Sequence, residues 1–121
     1  MYNFDFEKPS TVAEAAAAMA VEDAQALGGG QTLLPTMKQR LASPSKLVSL
    51  SGIAEMRGVC SNDDGSLSIG GATTHVTVAA EAGSYPGLAG LAAGIGDPAV
   101  RNRGTIGGSL ANNDPAACYP S

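Results

Sequence analysis

The 121-residue sequence has no tryptophan, one histidine, two cysteines and only 4% aromatic residues. Each scarcity closes off a class of chemistry. So few aromatics leave no series of stacking platforms for nucleic-acid bases. Seven Lys and Arg stand against eleven Asp and Glu, a formal net charge of −4, so the basic face that nucleic-acid phosphates require is missing. His75 alone cannot build a zinc site. Cys60 and Cys118 belong to no Cys-x-x-Cys, and an iron–sulfur cluster usually takes four thiolates. No Ser/His/Asp set at a supporting spacing occurs. No stretch of 18 apolar residues exists, so no membrane-spanning helix is expected. The opening Met1-Tyr2-Asn3-Phe4-Asp5-Phe6-Glu7-Lys8-Pro9 lacks the basic-then-apolar pattern of a secretory leader, which favours a cytoplasmic protein. Cys60 and Cys118 could pair, but in that compartment two free thiols are the expectation.

What is abundant is glycine, 16 residues, about twice ordinary usage. In a chain of ordinary hydrophobicity this means many tight turns or close backbone approaches. The length suits one domain with a core, not two large ones.

Along the chain, residues 2–6 alternate and read as a short strand. Thr11 with Glu14 three residues on has capping-box spacing and opens a helix. Its expected core face is Val12, Ala15, Ala16 and Met19, and its expected end lies near residues 21–23. Residues 24–27 read as a buried strand, 32–41 as a short helix with Pro35 in its first turn, and 46–50 as another strand. Strands joined by helical connections suggest a small parallel sheet over residues 1–52. The character then changes. Residues 56–60 and 66–70 flank a polar turn ending in Gly65, a hairpin signal. Thr73 or Thr74 can cap a helix over 75–82, and residues 88–95 form a second helix. Asp114-Pro115 reads as a turn.

Two glycine runs remain. Gly28-Gly29-Gly30-Gln31-Thr32 ends the second strand and leads into a helix, so its amides can approach an anion. It is not GxxxxGK[ST], nor GxGxxG with a later acid, so neither a P-loop nor an ordinary dinucleotide fold fits. Gly104-Thr105-Ile106-Gly107-Gly108-Ser109 offers two hydroxyls and unobstructed amides. Alone, each run also fits an ordinary turn. Together they suggest two loops folded toward each other that bind a diphosphate with neutral donors instead of lysines.

The stretches Gly28 to Pro35 and Arg101 to Asn112 resemble the two flavin signatures of the FAD-binding, medium subunit of molybdenum hydroxylases, the carbon monoxide dehydrogenase, aldehyde oxidase and xanthine dehydrogenase group. Residues 69–75 and 113–117 look like the same family, so the resemblance covers the whole chain in order. It implies an α+β fold, the FAD-binding fold of the vanillyl-alcohol-oxidase type. A small α/β subdomain (1–52) would be followed by part of an antiparallel α+β subdomain (53–121). The family pattern implies that Leu27, Gly28, Gly29, Gly30, Gln31, Thr32, Leu33 and Leu34, with Thr105, Ile106, Gly107, Gly108 and Ser109, wrap the FAD pyrophosphate. It makes Ile95 an apolar contact. Cys118 occupies a position that is often a cofactor-contacting aspartate, and the family pattern implies that here a cysteine lines the cofactor site in its place.

The resemblance also implies partners: a molybdenum–pterin large subunit and an iron–sulfur small subunit that feeds electrons through FAD to an external acceptor. No residue of this chain is expected to act as nucleophile or general base. Family members continue well beyond residue 121, so this segment is expected to be a truncated portion that binds FAD weakly or not at all and is inactive alone. The rival readings are a non-catalytic interaction or assembly module and a stand-alone flavin oxidase of the same fold. His75 is expected to cap or pack. Arg101 and Arg103 are expected to pair with Asp97 or face a partner, with the diphosphate as the alternative. Asn112 is a plausible loop-ordering residue on the cofactor side.

Overall fold

The structure, a computed structural model, describes residues 1–121. Its first part is a three-stranded parallel sheet of β1 (Asp5–Glu7), β2 (Ala24–Leu27) and β3 (Lys46–Ser49), in the order β1-β3-β2. Asp5 pairs with Lys46 and Ala24 with Lys46, so β3 is the shared central strand. Its Leu47, Val48 and Ser49 are buried, as a strand flanked on both edges should be. The parallel sheet anticipated from the sequence is present, although β1 starts three residues later than the alternation suggested.

The helix α1 (Val12–Ala18) makes the first crossover. Thr11 caps it, its Oγ1 accepting from the Glu14 amide at 3.1 Å. The Glu14 carboxylate returns to the amide of Ser10, not to that of Thr11. The core face differs from the expected one. Ala15 and Ala18 pack on Val48 and Ile53, with Met19 partly buried beside them, while Val12 and Ala16 are exposed. Ala15 and Met19 are shared with the expected face, and Ala18 replaces Val12 and Ala16 because the small side chain lets α1 lie against Val48 and Ile53. The helix ends at Ala18, and a turn to Asp23 (φ 60°) starts β2. The second crossover is α2 (Leu33–Lys38), which buries Met37.

A single 3-10 turn, Ala54–Met56, leads to the antiparallel hairpin of β4 (Val59–Ser61) and β5 (Leu67–Ile69). Then come α3 (His75–Glu81), α4 (Pro86–Ala93), α5 (Pro98–Arg101) and α6 (Ile106–Asn112). Val78, Ala82 and Ala92 form a second core under Val59, Leu67, Ile69 and Ile106. Thr74 precedes α3 without a side-chain cap bond, because its hydroxyl donates to Thr77. Thr73 turns inward to Gly58. The second glycine run is not a turn: residues 106–112 are helical despite two glycines, and Thr105 caps them by accepting from the Gly108 amide at 3.0 Å. No helix is long and apolar enough to cross a membrane. Cys60 and Cys118 are both free thiols.

Candidate functional site

The carboxyl ends of the three parallel strands converge on one cleft of about 530 Å3. This is where open parallel sheets bind ligands. Phe6 and Lys8 come from the end of β1, Ser49 and Ser51 from the end of β3, and Leu27, Gly28 and Gly29 from the end of β2. Asn102, Arg103 and Thr105 adjoin the glycines, and Arg57, Ala72 and Thr74 complete the lining. Leu34 lies beneath the glycines.

The two glycine runs are in contact. A Cβ on Gly28 would lie 2.9 Å from the Thr105 hydroxyl, and one on Gly29 would lie 1.8 Å from the Arg103 carbonyl oxygen. Only glycine lets the loops approach this closely. A 530 Å3 cleft with a glycine wall is of ordinary ligand-site size.

The runs differ in what they offer. The main-chain amides of residues 28 to 33 donate to no acceptor in the chain; the first satisfied one is Leu34, which bonds Gly30 at 3.2 Å. Gly30 sits at φ +76°, turning the strand into this row of donors. Successive unpaired amides in a turn form an anion-binding concavity. The second run has spent all its amides but that of Thr105. Ile106 donates to the Thr73 carbonyl, Gly107 to the Gly71 carbonyl and Gly108 to Thr105. The amides of Gly107 and Gly108, expected to be unobstructed, therefore brace the wall internally. Thr105 is 8% exposed, and its hydroxyl hydrogen remains available to donate.

Charge reinforces the donor row. Lys8, Arg57 and Arg103 line the cleft, no carboxylate does, and the one ion pair, Lys46 with Glu7, lies elsewhere. Three of seven cations thus meet in a chain of net charge −4. The sequence suggested neutral recognition because Lys8 and Arg57 are far from both glycine runs along it, and Arg103 was expected to pair with Asp97 or face a partner. Ser49, Ser51, Lys8 and Arg57 were missed for the same reason. The signal that could have found them is topological: each follows or ends a short element that points at the cleft. Arg101 does not pair with Asp97. Its guanidinium donates to the carbonyls of Ile95 and Gly96, while Asp97 caps α5 through the Val100 amide.

Of the sequence-derived site residues, Leu27, Gly28, Gly29, Leu34 and Thr105 meet in the cleft lining. Gly30, Gln31 and Thr32 continue the run of unpaired amides outside the lining, and Leu33 lines a separate hollow with Asp23 and Pro44. Ile106, Gly107, Gly108 and Ser109 stand behind Thr105 on α6. Ile95 and Cys118 are outside the lining; Ile95 is half-buried and Cys118 is exposed. Asn112 is exposed at the last turn of α6. No group of three or more His, Cys, Asp or Glu is placed to hold a metal ion. The donor row, the cations and the absence of acid suit an anionic diphosphate such as that of FAD.

The model of the FAD binding domain in molybdopterin dehydrogenase matches residues 2–121. The carbon monoxide dehydrogenase medium chain of Hydrogenophaga pseudoflava is 39% identical over 98% of this chain and 42% of its own length. The nicotine 6-hydroxylase medium subunit of Paenarthrobacter nicotinovorans is 34% identical over 95% of this chain and 42% of its own. A solved carbon monoxide dehydrogenase from Hydrogenophaga pseudoflava, in a form lacking the Mo-pyranopterin moiety, superposes with a TM-score of 0.92 at 38% identity, covering 98% of this chain and 43% of that one. The chain therefore spans less than half the length of these relatives. With a family model matched over all but its first residue, the chain belongs to the FAD-binding domain family of the molybdopterin dehydrogenases.

Proposed function

We propose that the cleft holds the diphosphate of FAD and that the chain is part of the flavin-bearing subunit of a cytoplasmic molybdenum hydroxylase. The observation that carries this reading is the row of six unpaired amides, residues 28 to 33, which begins at Gly28 and Gly29 in the cleft against Arg103 to Thr105. In this proposal Leu27 to Leu34 wrap the diphosphate, Thr105 donates its hydroxyl to it, and Lys8, Arg57 and Arg103 neutralise its charge. Ile106 to Ser109 act by holding Thr105 in place. FAD, when bound, supplies the redox chemistry; the chain's own part is to position it and keep its charged end in the cleft. A molybdenum–pterin large subunit and an iron–sulfur small subunit complete the complex, and electrons from the clusters leave through the flavin to an external acceptor. The division near residue 52 and the vanillyl-alcohol-oxidase type of fold belong to the same proposal; two separate cores support a division, the first of them reaching across the boundary to Ile53 and Met56.

Competition separates the diphosphate reading from a nonspecific flavin surface. The chain is titrated with FAD, ADP and riboflavin at low salt. FAD and ADP should compete for one site and riboflavin should not enter it. Equal affinity for riboflavin and FAD would remove the diphosphate from the reading.

A further inference from the structure

His75 lies outside the cleft lining, yet it is buried and touches the cleft wall from behind. Its main-chain amide donates to the Gly104 carbonyl at 3.0 Å. Its ring packs on Gly104 so closely that a Cβ there would meet Cδ2 and Nε2 at 2.8 Å. On the other side, Nδ1 lies 2.8 Å from the Tyr119 hydroxyl, with the rings 5.4 Å apart and tilted by 44°. Tyr119 in turn packs on the core of Val78, Ala82 and Ala92. Thr105, next to Gly104, bridges to Thr74 and packs directly on Gly28 in the cleft lining. A continuous line of contacts thus runs from Tyr119 through His75 and Gly104 to Thr105 and Gly28.

We propose that His75 is a positioning residue for the diphosphate wall: locked by Tyr119, it fixes how closely Thr105 faces Gly28 and so sets the width of the anion cradle. For its ligand this rests on the FAD reading above; the contacts themselves do not. A buried imidazole must satisfy its ring nitrogens, and the partner it has taken at Nδ1 decides which way the ring faces. Here the hydroxyl fixes the ring's rotation, and the ring's far edge meets the one residue, Gly104, that leaves room for it. Burial holds the imidazole below its ordinary pKa and the phenol above its own, so both stay neutral and the bond persists around neutral pH.

The test is Tyr119→Phe, which removes one oxygen and keeps the ring. Two measurements are made on the chain: amide chemical shifts of Gly28 and Thr105 without ligand, and the Kd for FAD. Both amides should shift and FAD should bind about fivefold more weakly, the worth of one hydrogen bond. His75→Asn, which keeps a polar atom near the Nδ1 position, should hold FAD better than His75→Leu. Unmoved Gly28 and Thr105 amides would overturn the proposal whether or not FAD binds. So would moved amides with unchanged affinity, or equal losses in the Asn and Leu variants. A parent chain that binds no FAD would instead sink the FAD reading, and the amide shifts would still decide the positioning role.

Discussion

Gly29 stands against the carbonyl of Arg103 so closely that a Cβ on it would lie 1.8 Å from that oxygen. Residues 74 positions apart in sequence therefore touch main chain to main chain, and the obstacle is backbone, which cannot swing aside. Gly29→Ala should push the two walls apart, costing about 1–3 kcal/mol of stability. Urea unfolding of the variant checks the figure, and its affinity for FAD should fall well below that of the parent. An unchanged midpoint would mean that the loops do not meet.

The opposite result is expected in α4. A Cβ on Gly90 meets nothing within 4 Å, and the residue is exposed inside the helix. Gly90→Ala should stabilise the chain by about 1 kcal/mol, visible as a higher melting temperature, with FAD affinity unchanged.

The three cations predict a salt effect. Arg57→Gln or Arg103→Gln should weaken FAD or ADP binding roughly threefold to tenfold at low ionic strength, with a smaller loss at high salt, because exposed charges are screened. Riboflavin, without phosphate, serves as the control. A loss that ignores salt would point to packing instead of charge.

The His75–Tyr119 pair sets limits in pH. Burial lowers the His75 pKa from 6.5, so the unfolded chain binds its proton first. Stability from this group is complete above about pH 6.5 and is lost as pH falls below it toward the folded-state value. Tyr119 is pushed from 10.0 to about 12, first by burial and second by the neighbouring Cys118. Here the folded chain keeps its proton longer, so stability falls as pH rises from 10 toward 12. Melting temperature measured against pH should drop on both flanks. In Tyr119→Phe the alkaline drop should shrink.

Much of the fold was legible because local rules act locally. Thr11 and Glu14 mark the start of α1 in any context, and the polar turn before Leu67 can only reverse the chain. Two helices were not legible. In α6, Gly107 and Gly108 argue against helix by propensity, yet the Thr105 cap and the Gly107–Gly71 contact override them. In α5, four residues between Asp97 and Asn102 are too few for any periodicity to show. The site was half legible. Glycine runs announce themselves, but which run keeps its amides free depends on where Thr73 and Gly71 lie, and those positions are tertiary. Lys8 and Arg57 reach the cleft only because the strand and the turn before them end there.

The strand order β1-β3-β2 carries a consequence for how the cleft comes into being. The central strand is the last of the three to be made, so β1 and β2 have no partner until residues 46–49 slot between them. During synthesis the glycine row exists as chain long before it exists as a surface. Its facing wall, Arg103 to Thr105, arrives more than fifty residues after β3. Such late, long-range closure is intrinsically slow. An anion that bridges the two walls would act at that final step, so FAD should speed recovery of the native state, and not merely preserve it once formed.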